Sequence, residues 1–112
     1  MEKTIDGVYS VCITKEEFGL PLRRYGEMRL FVDKDNGWLK GSMFPRFFWL
    51  NCPFRSGRVE DGTFSFTCYF NSPCQQFAMD VEGVWDGETV SGTVRDPGGE
   101  ATFFGTKIRE KE

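Results

Sequence analysis

Asn36-Gly37, Asp61-Gly62 and Asp86-Gly87 each stand between runs that alternate apolar and polar residues. Asn-Gly and Asp-Gly tolerate the positive backbone angles that tight hairpin turns require, so three strand reversals can be placed directly. Pro97-Gly98-Gly99 marks a fourth. Connections this short join antiparallel neighbours, because a parallel partner would need a crossover of a dozen or more residues. Helical bundles and doubly wound α/β folds are thereby excluded.

The intervening runs are strand-like. Residues 7–14, 26–33, 38–44, 47–54, 63–70, 77–85, 89–96 and 101–108 are rich in Val, Phe, Tyr, Trp and Thr, giving eight candidate strands. Phe64, Phe66, Cys68 and Phe70 share one face of their strand; Phe77, Met79, Val81 and Trp85 share one face of theirs. Residues 14–26 come nearest to a helix, but Gly19 and Pro21 interrupt it, and the segment reads as the longest irregular connection. Glycines 41, 57, 83, 92 and 105 fall inside strand runs as candidate bends or bulges. An eight-stranded antiparallel meander removes its own edges by closing, so the expected fold is all-β, an up-and-down barrel. A two-sheet β-sandwich is the alternative. With 112 residues the chain is long enough for a single domain, residues 1–112, around one core.

The segment MDVEGVWDGETVSGTVRDPGGEATFFGTKI (79–108) resembles the small lipocalin-like, calycin-type barrels of bacteria, many of which have no assigned activity. DGVYSVCIT (6–14) is similar to the opening of GrlR-type secretion regulators, a barrel family that works through protein contacts. The resemblance implies an eight-stranded barrel and carries no catalytic motif with it. The G-x-W of classical lipocalins is replaced here by Gly7-Val8-Tyr9.

Composition narrows the chemistry. The net charge is −3 and basic residues form no stripe, so nucleic acid is not an expected partner. No apolar run has the length of a signal peptide or a membrane span, and the expected location is cytoplasmic, without membrane association. The chain has no histidine, which excludes Ser-His-Asp and Cys-His nucleophilic sites and histidine-ligated metals. Cys12, Cys52, Cys68 and Cys74 show no C-x-x-C spacing and read as free thiols. No cofactor is expected. A cyclisation or isomerisation by a carboxylate, tyrosine or arginine within the barrel stays open as a third functional class.

MFPRFFWLNCPF (43–54) concentrates aromatic rings. An eight-stranded barrel is either just filled by its side chains or holds one small ligand. The first functional expectation is therefore a non-enzymatic binding module for a small apolar or aromatic molecule, lined by Phe47, Trp49, Phe66, Met79 and Trp85. Arg46 could pair with an acidic group, and Tyr25, beside Arg23-Arg24, could lie at the mouth. The second expectation is a regulatory protein-interaction barrel with a filled interior. Alternation counted from Phe47 puts Phe48, Leu50 and Phe54 outside, where a second copy would cover them. Burial of such a side chain is worth about 1.5–3 kcal/mol, so a homodimer is expected. Light scattering at micromolar concentration should give twice the chain mass, and Leu50→Asp should shift the protein toward monomer; a wild-type monomer would overturn this.

Overall fold

The computed structural model describes residues 4–17, 19–45, 52–71 and 76–110. They form eight strands: β1 (Gly7–Glu17), β2 (Leu20–Val32), β3 (Leu39–Pro45), β4 (Cys52–Glu60), β5 (Thr63–Asn71), β6 (Gln76–Trp85), β7 (Thr89–Asp96) and β8 (Gly99–Arg109). Every strand is antiparallel to its sequence neighbours, and β8 returns to pair with β1, closing the barrel. The sandwich alternative is thereby ruled out. Gly37, Gly62 and Gly87 all have positive φ, as their turns demand.

Two stretches differ from the expectation. Residues 14–26 are no irregular connection: β1 and β2 continue as one hairpin from Thr14↔Arg23 to Glu17↔Leu20, turning at Gly19. Among the described residues β2 pairs with β3 only from Gly26 onward, and those residues show a ladder partner for Leu20 to Tyr25 on the β1 side alone, a setting that tolerates Pro21. The fourth strand, expected at 47–54, is Cys52–Glu60.

Phe54 is likewise corrected from the outer face to the core, where it is 6% exposed. Its direction is set by pairing with β3, where it stands opposite Gly41, and not by alternation carried through from Phe47. A register shift follows: Gly41 pairs Phe54 whereas Leu39 pairs Gly57, so β4 holds one extra residue at Arg55-Ser56. This bulge lets both Phe54 and Gly57 face inward.

Rings and glycines share the interior. Phe54 and Phe66 stack with centroids 3.8 Å apart and planes 7° from parallel. Phe64 meets Phe103 edge-on at 6.3 Å, and a methyl group built on Gly83 would lie 3.0 Å from both rings. Gly83 is opposite Gly92, which is opposite Phe103 on the next strand. The large side chains thus occupy space that the inward glycines leave vacant. Met28, Leu30, Leu39, Met43, Cys68, Met79, Val81, Val90 and Val94 complete the core.

A Cβ at Gly92 would collide with the Glu82 carbonyl and lie 2.5 Å from the Gly83 Cα, both backbone atoms of a paired strand. Gly92→Ala is therefore expected to cost about 1–3 kcal/mol in urea unfolding. Gly98→Ala, which meets only the side-chain ends of Asp96 and Lys15, should stay within about 0.5 kcal/mol of wild type.

Candidate interaction surface

Of the candidate ligand-lining residues, Phe66 and Met79 lie in the core cluster. Phe66 is 4% exposed and lies against Phe54; Met79 is 7% exposed and belongs to the same cluster. Trp85 packs against the edge of that cluster. Its indole N–H donates to the Glu60 and Thr63 carbonyls, at 3.0 and 3.2 Å, across the β4–β5 turn. A buried indole needs such a partner, and here the backbone provides it. Tyr25 pairs with Cys12, on the face opposite to inward Val11 and Met28, and is 51% exposed. Arg46, Phe47, Phe48, Trp49 and Leu50 lie outside the described residues.

The end of the barrel that carries the β2–β3, β4–β5 and β6–β7 turns is closed by a polar lattice over buried Ile5. Fully buried Tyr9 donates its hydroxyl to the Ile5 carbonyl at 2.7 Å. Lys107 donates to the Thr4 carbonyl at 3.1 Å, with its ammonium 5.5 Å from the centre of the Tyr9 ring. Asp6 accepts the Val32 amide at 2.9 Å. Burial, then the carboxylates of Asp86 and Asp6, hold the Tyr9 hydroxyl well above the ordinary tyrosine value. These contacts pin the N-terminal segment across the barrel end, leaving Tyr9 engaged as a structural donor.

The outer wall is less uniform. β5 pairs with β6 from Thr63↔Val84 to Asn71↔Gln76. With β4 it pairs only at Arg58↔Ser65, Val59↔Phe64 and Glu60↔Thr63. Beyond those pairs, among the described residues, the regular ladder between β4 and β5 is interrupted beside the Arg55-Ser56 bulge, although the strands stay adjacent: a Cβ on Gly57 would lie 3.1 Å from the Cβ of Phe66. The wall is irregular here, over the Phe54–Phe66 stack. Outside it lies a cleft of about 610 Å³ bordered by Arg55 and Arg58 on one bank, Thr67 and Tyr69 in the middle, and Asp80, Glu82 and Arg95 on the other. Tyr69 is 72% exposed.

The charges in this cleft are unevenly engaged. Asp80 accepts the Thr67 hydroxyl at 2.7 Å, and Arg95 faces Glu100 at 3.7 Å. Arg55 and Arg58 are exposed, and among the described residues neither is in an ion pair. No three Cys, Asp or Glu side chains among the described residues are grouped to hold a metal ion. Cys12 and Cys68, neither in a disulfide, lie elsewhere in the barrel, Cys68 within its core.

Sequence reasoning did not single out this cleft. Arg55, Arg58, Thr67 and Asp80 are separated along the chain, and the bulge and the adjacency of β4, β5 and β6 bring them round one opening. The one available signal was the pair of arginines flanking Ser56-Gly57, just before a hairpin turn.

No protein-family model matches the chain, and no curated protein matches it.

The Tyr9 contacts generate a pH prediction. A phenol held above its ordinary value of about 10 stays protonated in the folded state while the unfolded chain ionises. The folded state then binds more protons, so this contribution is intact below about pH 10 and declines as pH rises further. Tyr9→Phe should cost about 1 kcal/mol at neutral pH and flatten the loss of stability above pH 10, as read by denaturant unfolding at a series of pH values.

Proposed function

We propose that this protein is a small lipocalin-like, calycin-type barrel that acts by contact with another protein, its interior serving as packed core. One observation supports this most: the described inward positions are occupied by the Phe54–Phe66 stack, the Phe64–Phe103 pair and their aliphatic neighbours. A carrier of apolar molecules needs a cavity lined by such groups; here the groups fill each other's space. The outer cleft, by contrast, combines an aromatic floor with charged banks, the composition of a recognition surface. Self-association through Phe48 and Leu50 is a separate proposal, and it proceeds without Phe54.

The test is occupancy of the interior. Titration with dodecanoate and with 1-anilinonaphthalene-8-sulfonate should leave the methyl resonances of Met28, Leu30, Val81 and Val90 unmoved, with no saturable change in tryptophan emission. Saturable movement of those methyls at micromolar ligand would overturn the filled-barrel reading and restore the ligand-carrier alternative.

A further inference from the structure

We infer that the cleft beside the Arg55-Ser56 bulge docks an acidic, extended segment of a partner protein, anchored by Arg55 and Arg58. This rests on reading the barrel as a protein-contact module and names the chemistry of the partner.

The first support is charge. Arg55 and Arg58 stand on the same bank, separated by Ser56 and Gly57, on a protein whose net charge is −3. Among the described residues no carboxylate pairs with either, whereas Asp80 already accepts the Thr67 hydroxyl and Arg95 already faces Glu100. A guanidinium is weakly hydrated and presents a planar fork of donors that matches a carboxylate. Two of them side by side therefore select an anionic side chain on the β4 bank. Asp80 and Glu82 repel one on the β6 bank, which fixes how the segment lies.

The second support is shape. A cleft of about 610 Å³ exceeds what a lone ion needs and falls in the range that takes a short stretch of chain. Its lining includes the rings of Phe54 and Phe66, which are 6% and 4% exposed. Carboxylates at alternate positions, with apolar side chains between them, would put acid against the arginines and apolar surface toward the rings. Asp80 and Glu82 also disfavour a polyanion such as nucleic acid, because a continuous phosphate backbone could not avoid them.

The experiment is an amide NMR titration with an end-capped peptide of alternating valine and glutamate. Saturable shifts should appear at residues 54–58 and 65–67. The glutamine counterpart should bind at least about fivefold more weakly, in keeping with the loss of surface charge pairs. The double variant Arg55→Glu, Arg58→Glu, with both sites exposed and the barrel spectrum retained, should lose the glutamate peptide and gain the lysine counterpart. Absence of saturable shifts at millimolar peptide, equal binding of the glutamate and glutamine forms, or shifts confined to another face would each overturn the inference. If the peptide fails while dodecanoate leaves the interior methyls unmoved, the acidic partner is rejected and the filled barrel stands. If dodecanoate moves those methyls, the filled barrel itself is rejected.

Discussion

The packing of aromatic rings over inward glycines is the interaction on which the rest of this structure depends. An eight-stranded barrel has a narrow interior, and a chain with 12 phenylalanines cannot fill it with rings on every strand. Gly83 yields the space that Phe64 and Phe103 take. Gly92 and Gly41 instead let backbones approach, Gly92 against Glu82 and Gly83, and Gly41 against Arg29. Each glycine also lets its strand approach the next more closely than a Cβ would permit, which tightens the coil needed for closure.

Closure has a local cost, and the bulge at Arg55-Ser56 shows where it falls. One extra residue in β4 keeps Phe54 and Gly57 both inward, and beside it, among the described residues, the regular ladder between β4 and β5 is interrupted. The wall is thus least regular where its inner surface is most aromatic. The same irregularity sets Arg55 and Arg58 on one bank of a cleft whose opposite bank carries Asp80, Glu82 and Arg95. Core packing and the shape of the outer surface are coupled through that bulge: the residue that lets a ring in also shapes the opening outside.

The two ends of the barrel are managed differently. At the end carrying the three short turns, the Tyr9, Lys107 and Asp6 contacts tie the N-terminal segment down over Ile5. At the other end, among the described residues, the β1–β2 hairpin runs past the last β1–β8 and β2–β3 pairs, and Leu20 and Leu22 are exposed on it.

Strand number, antiparallel order and the closed barrel were legible in the sequence because they depend on local chemistry. Asn-Gly and Asp-Gly fix where the chain reverses, and period-two alternation fixes the inner face wherever a strand is regular, as at Phe64, Phe66, Cys68, Met79 and Val81. The direction of Phe54 and the extent of β2 and β4 were not legible. They depend on which residues of a neighbouring strand are opposite, and a bulge resets alternation without leaving a mark in the spacing of apolar residues. The arginine cleft was hidden for the same reason, since its banks come from four strands. Sequence by itself determined what each strand is made of and where it turns; tertiary structure decided register, and register decides which side chains share a surface.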